Sequence, residues 1–316
     1  VHPLELPFSR SRHDRAAHRR AEPDLVARSL AAPTTRVLVL HRGRVAVVDP
    51  EAPRAALVGP GAAPDGLGLF LGEHDGAALL AVVVPDGDED PAPPPGSDAW
   101  AGLRDVAGAQ LAALESGDEA AELAHGLAVE AVALAGWHAT HPVCAVCGTP
   151  TQVGQAGWER RCPVDERRTY PRTDPAVIMA VVDDADRLLL GHAARWPAGR
   201  YSTLAGFVEA GEALEDTVRR EVAEESGVLV GSGAGDVVYR GSQAWPFPAS
   251  LMLGFRARAV DTRVRTDDEE ITDARWFTRD ELSDAVTRGE VGLPGRASIA
   301  RALIEEWFGA ELPGAW

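Results

Sequence analysis

Residues 206–228 read GFVEAGEALEDTVRREVAEESGV. Within them Glu221, Glu224 and Glu225 stand at i, i+3 and i+4. On a helix that spacing puts the three carboxylates on one face, where like charges destabilise the helix. A hard divalent cation with oxygen ligands, Mg2+ or Mn2+, would offset the repulsion. Helix formation has local support. Residues 213–226 contain no Gly or Pro, Leu214, Val218 and Val222 recur every four residues as an apolar stripe, and Gly227 stands where a C-terminal cap belongs. Upstream, Gly206 and Gly211 bracket a loop in which the backbone can approach a ligand closely. Glu212 precedes Arg220 by about two turns, so an ion pair between them would tie loop to helix. A solvated acidic helix face is the competing reading of any glutamate run.

The full pattern narrows this choice. Gly206, five residues, Glu212, seven residues, Arg220-Glu221-Val222, one residue, Glu224-Glu225, one residue and Gly227-Val228 resembles the Nudix box at every defining position. A second motif, SQAWPFPAS at 242–250, follows one strand later. Its two prolines hold Trp245 and Phe247 on an extended, rigid segment. Rigid aromatics make stacking platforms for flat rings, although a core turn would carry the same residues. The segment resembles the SQPWPFPxS signature of the NADH pyrophosphatase branch of the Nudix hydrolase family, with Ala244 in place of the first proline.

Composition sets limits. A chain of 316 residues has room for two or three domains, and 45% hydrophobic content suffices for real cores. The net charge of -17 argues against a general nucleic-acid binder held by phosphate attraction. Every basic residue other than histidine is arginine, which excludes a Walker lysine, a Schiff-base lysine and a lysine general base. Asparagine is absent as well, so there is no N-glycosylation sequon. No apolar run approaches a membrane span, and the arginine-rich start lacks the apolar core of a signal peptide. The expected location is cytoplasmic.

The chain reads as α+β. Alternation over 35–48 and again over 67–71 and 77–84 suggests hairpins, the acidic, Pro-rich stretch 85–98 a surface loop, and 100–114 and 118–137 helices. These make an N-terminal α+β domain over 1–137 in which His41, His74 and His125 stand isolated. Residues 138–170 differ. Cys144-x-x-Cys147 is followed by Cys162-x-x-Asp165, which resembles a zinc ribbon with Asp165 where a fourth cysteine is expected. Aspartate can ligate zinc, and His141 or Glu166 are alternative fourth ligands. The Zn2+ would be structural, since a closed four-ligand site has no open position; the alternative is a ribbon that has lost its metal and is held by packing. Strands are expected at 176–183, 187–191, 201–204, 236–240, 251–260 and 274–277, with helices at 279–284 and 296–308. The pattern over 171–316 is mixed α/β, and the resemblance implies that these residues form a Nudix α/β/α sandwich with a mixed sheet.

What the resemblance implies is carried over residue by residue. Glu221, Glu224 and Glu225 match metal-binding, catalytic glutamates, and Glu270 matches a further acidic metal ligand, chosen over Glu269 by alignment on Trp276. Phe207 matches a ring that stacks on nicotinamide, Trp245 an aromatic supplied by a second subunit, and Gln243, Ser250 and Tyr170 polar substrate contacts. The implied activity is metal-dependent hydrolysis of the diphosphate linkage of NADH or NAD+ to nicotinamide mononucleotide and AMP. Removal of NAD caps from RNA 5′ ends is the same chemistry. A homodimer with a shared site is implied, and no membrane partner. The alternatives are hydrolysis of another nucleoside diphosphate such as ADP-ribose, or a non-catalytic nucleotide-sensing regulator. The general base is left unassigned among the glutamates.

Overall fold

The structure is a computed structural model that describes residues 4, 6–9, 11–266 and 269–314. It divides into two compact units. One comprises Val1–Ser9, Asp174–Ala244 and Ser250–Trp316, and the other Arg10–Thr173 with Trp245–Ala249. No described helix is long and apolar enough to cross a membrane.

In the unit built on Arg10–Thr173, α1 (Leu25–Leu30) precedes strands β1 (Arg36–His41), β2 (Arg44–Val48), β3 (Arg54–Ala55), β4 (Leu57–Val58), β5 (Leu67–His74), β6 (Ala77–Val83) and β7 (Ala99–Gly102). They form one sheet ordered β3-β2-β1-β6-β5, with β4 paired to β1 and β7 to β2. Only β1 and β6 run parallel. β1 is buried on both faces, which explains its near-continuous apolar run. Val37, Val39, Phe70, Leu80 and Val82 build one core with Leu25 of α1. Three helices follow: α2 (Leu103–Ala109), α3 (Leu111–Glu115) and α4 (Glu119–Thr140). α4 packs across β1, β3 and β5. Its cap is Asp118, whose carboxylate accepts from the Ala120 and Ala121 amides at 3.0 and 3.1 Å. The single helix expected over 100–114 is instead a strand followed by two short helices. Residues 99–102 pair with 44–47, and this ladder outweighs the helical propensity of Ala and Leu. A small antiparallel sheet, ordered β10-β9-β8, closes the unit with β8 (Gln152–Gly154), β9 (Glu159–Arg161) and β10 (Arg168–Thr169).

The other unit contains β11 (Asp174–Val182), β12 (Leu188–Ala193), β13 (Leu204–Phe207), α5 (Leu214–Ser226), β14 (Leu229–Val230), β15 (Val237–Trp245), β16 (Ser250–Asp261), β17 (Ile271–Phe277), α6 (Arg279–Thr287) and α7 (Ile299–Phe308). The sheet order is β14-β16-β11-β12-β17, with β13 on β11 and β15 on β16. β11 and β16 are parallel and β11, β12, β13 and β17 pair antiparallel, so the sheet is mixed. The period of two along β11 separates two cores. Ile178, Ala180 and Val182 face Leu282 of α6 and Ile299, Leu303, Ile304 and Trp307 of α7. Val177, Met179 and Val181 face Val218 and Val222 of α5. This is a sandwich of helices on both faces of a mixed sheet, the α+β architecture expected. Two expected strands shift. The strand ahead of the glutamate-rich helix runs Leu204–Phe207 rather than 201–204, and β15 continues through Trp245.

Arg301 has no exposed surface, and it holds the chain after α7. Its guanidinium donates to the carbonyls of Pro294 (3.2 Å), Gly314 (2.8 Å) and Leu312, and to Glu305 (2.7 Å). Replacing Arg301 by Ala strands the buried carbonyls of Pro294 and Leu312, and a loss of about 3 kcal/mol is expected. The shift of the urea midpoint at constant m-value measures it.

Candidate functional site

The glutamates of α5 are organised by the arginine among them. Arg220 forks onto Glu212, Nε to Oε1 at 2.8 Å and Nη2 to Oε2 at 2.9 Å. Its Nη1 reaches Glu221 Oε1 at 2.8 Å and Glu224 Oε2 at 3.0 Å, and Nη2 also donates to the Phe207 carbonyl at 2.9 Å. One guanidinium thereby fastens the loop, β13 and the acidic face together. The ion pair between Glu212 and Arg220 is present. Part of the carboxylate repulsion is therefore offset by Arg220 within the protein, a contribution the sequence reading assigned wholly to a cation.

Electrostatics follow from this arrangement. Arg220, above all by its hydrogen bond, holds the Glu212 carboxyl down to about 2. Glu212 also accepts from the Glu209 amide at 3.1 Å. Its three carboxylate neighbours raise the Arg220 pKa, Glu212 first. Glu221 goes the other way. Burial pushes its carboxyl up, Arg220 pulls it back, and the charges of Glu224 and Glu270 push up again. Glu270, just before β17, is thus near enough to repel Glu221. Glu225 is buried and Glu224 exposed. Gly206 has a steric role. A Cβ there would stand 1.9 Å from Cδ of Glu221, so only glycine lets this carboxylate lie against β13. Gly227 caps α5 in the left-handed region at φ 70°, its amide bonding Ala223 O at 2.9 Å.

A second constellation lies in the other unit. Among the described residues, one ligand atom from each of Cys144, Cys147, Cys162 and Asp165 lies within 4.8 Å of the others. The Sγ atoms of Cys147 and Cys162 are 3.5 Å apart, and Cys144 Sγ is 3.6 Å from Asp165 Oδ2. Ligand atoms of a tetrahedral zinc with bonds of about 2.3 Å stand roughly 3.8 Å apart, so these donors fit zinc. The two halves are alike in their backbone. Gly148 after Cys147 and Glu166 after Asp165 both take positive φ, at 71° and 58°. Asp165 therefore occupies the fourth-ligand position of the second knuckle, braced by the Arg167 amide at 3.0 Å from Oδ1. Glu166 is turned to Arg161 at 2.8 Å, and His141 Nδ1 lies 3.0 Å from Trp137 O.

Residues 172–294 match the NUDIX domain family and residues 139–170 the NADH pyrophosphatase zinc ribbon domain. The chain carries a NUDIX domain. Curated proteins are similar to part of this chain. A protein of Mycobacterium tuberculosis H37Rv named NAD-capped RNA hydrolase NudC is 46% identical over 194 residues, which are 58% of this chain and 61% of that one. The human NAD-capped RNA hydrolase NUDT12 is 42% identical over 195 residues, 58% of this chain and 41% of that one. The chain thus spans less than two thirds of the length of these relatives. A solved NUDIX hydrolase from Nitrosomonas europaea is 21% identical with a TM-score of 0.38, covering 54% of this chain and 94% of that one.

The remaining expected site residues fall into different settings. Phe207, at the end of β13 in the NUDIX domain, is 59% exposed. Tyr170, just after β10, is also exposed. Ser250 is buried at the start of β16, opposite Asp174 of β11. Gln243 is buried and its amide is committed within the fold, donating to Ala297 O and accepting from Ile299 N, both at 2.8 Å. Trp245 is half-buried and meets Phe247 edge-on, centroids 5.2 Å apart. Sequence reasoning missed two features. Arg220 was read only as a partner of Glu212, although its i, i+4 spacing to Glu224 was visible. Arg104, whose guanidinium lies over the Phe247 and Trp245 rings, gave no signal because it is remote in sequence.

Two outcomes are expected. Metal analysis of the purified protein should give about one zinc per chain; Asp165→Ala should lower that occupancy and Asp165→Cys restore it. Gln243→Ala should cost about 2 kcal/mol, since it orphans the Ile299 amide and the Ala297 carbonyl at the start of α7. Denaturant titration reads this loss.

Proposed function

We propose that this chain hydrolyses the diphosphate linkage of NADH or NAD+ to nicotinamide mononucleotide and AMP, and removes the same linkage as a cap from RNA. The observation that carries the reading is the glutamate face of α5, fastened by Arg220 and laid against Gly206, in a NUDIX domain preceded by an NADH pyrophosphatase ribbon. The names of the relatives support the same substrate class.

Glu221, Glu224, Glu225 and Glu270 are the proposed ligands of Mg2+ or Mn2+. A divalent cation held there supplies neutralisation of phosphate charge and activation of water. The protein's own groups do the rest. Arg220 keeps Glu221 and Glu224 oriented and limits their mutual repulsion before any cation arrives. Glu212, held ionised by Arg220, anchors the loop instead of binding metal. Phe207, exposed beside this face, offers its ring to the nicotinamide, and Tyr170 and Ser250 are proposed polar contacts. Gln243 acts by holding the start of α7, which positions β15 ahead of Trp245. Trp245 is proposed to act in the site of a second copy, making the working form a homodimer. The ribbon's Zn2+ is structural, tying residues 144–165 together where little core is available.

Product analysis with NADH and Mg2+ or Mn2+ tests the activity. Nicotinamide mononucleotide and AMP are expected, and a clear preference for ADP-ribose over NADH would overturn the nicotinamide assignment. Glu224→Gln is expected to lower turnover about a hundredfold or more while leaving the melting temperature within a few degrees, since Glu224 is exposed and outside the core. Unchanged turnover would show that other carboxylates carry the reaction.

A further inference from the structure

The segment 242–250 ends β15 and carries two aromatic rings that the fold does not fully bury. What sits on them is a guanidinium. Arg104 of α2 places Cζ 4.3 Å from the centroid of Phe247 and 5.3 Å from that of Trp245. All three residues belong to the unit built on Arg10–Thr173. Arg104 is exposed, and among the described residues no carboxylate pairs with it. This is notable in a chain of net charge -17 whose other arginines are largely ion-paired, Arg12, Arg19, Arg42, Arg187 and Arg220 among them.

The chemistry of such a group is specific. Aromatic faces hold a guanidinium by its π surface and leave its in-plane N–H donors unspent. A planar fork of donors, with its Cζ set over these rings and lacking a carboxylate, suits a phosphate. Trp245 is only half-buried, so a flat ring and a phosphate one sugar away can be met together. We infer that Arg104, Trp245 and Phe247 form a nucleotide-recognition cluster in which Arg104 binds a phosphate of the dinucleotide substrate and fixes the aromatic pair. This rests on the nicotinamide reading above and adds a residue to it. Arg104 is a binding and specificity residue, distinct from the carboxylates that would hold the cation.

The test uses the full chain and three probes: nicotinamide mononucleotide for binding, NADH for turnover, and a short NAD-capped RNA. Arg104→Gln removes the charge and leaves a shorter polar side chain, and Arg104→Lys keeps the charge but loses the fork. In Arg104→Gln the mononucleotide should bind about tenfold more weakly, the size of one charge-assisted hydrogen bond. KM for NADH should rise by more than kcat falls, and Arg104→Lys should recover part of the loss. Added salt should weaken mononucleotide binding to the parent protein more than to Arg104→Gln. Unchanged mononucleotide affinity in Arg104→Gln, with or without a lower melting temperature, overturns the inference and leaves Arg104 a packing group. An effect confined to capped RNA also overturns it, in favour of contact with the RNA chain. Because mononucleotide binding is read without turnover, a parent protein that binds it but leaves NADH intact defeats the proposed reaction and not the cluster. A parent protein that does not bind it defeats the cluster.

Discussion

Arg220 is the group that makes an acidic helix face compatible with folding. Glu221, Glu224 and Glu225 lie within one turn, and burial already disfavours the charge on Glu221. A single guanidinium reaching Glu212, Glu221 and Glu224 and the Phe207 carbonyl lowers that cost and fixes three pieces of backbone at once. The site is therefore assembled around charge compensation, with the apolar stripe of Val218 and Val222 holding α5 to the sheet from its other side. Strain is moderated here rather than abolished, since Glu221 remains pushed up despite its partner. Charge that the protein balances only in part is what a cation-binding face requires.

The ribbon meets a different constraint with a related device. Residues 139–170 have few apolar side chains turned inward, and Val143, Val146, Val153 and Val164 are exposed. Cys144 and Cys162 are buried instead, with Cys147 and Asp165 completing the cluster from the exposed side. Asp165 reaches its place because the backbone after it adopts the left-handed turn that Gly148 supplies in the first knuckle. The backbone geometry of the two knuckles is alike, while Asp165 presents an oxygen where the first knuckle presents sulfur. In both constellations, then, a carboxylate is positioned by backbone that leaves little freedom: Gly206 beneath Glu221, and the Arg167 amide beneath Asp165.

Much of this was written along the chain. The helix of residues 214–226, its cap at Gly227, the pair Glu212 with Arg220 and the two knuckles all depend on residues close in sequence, so periodicity and spacing reveal them. The apolar run at 176–183 likewise announced a strand, and the fold buries its residues on both faces. Sequence alone also fixed which chemistries are absent, because a chain without lysine has no lysine base or Schiff base.

Other features depended on partners far apart in the chain. Residues 99–102 became a strand because β2 offered an edge, overriding a helical composition. Gln243, read as a substrate contact, spends its amide on Ala297 and Ile299, more than fifty residues away. The aromatics of WPFP met Arg104 across a separation of some 140 residues, and Glu270 came within repelling distance of Glu221 through the pairing of β12 with β17. Local spacing determined helix, knuckle and carboxylate face. Long-range pairing decided which side chains those carboxylates and rings confront, because packing is a property of distance in space and leaves no period in the sequence.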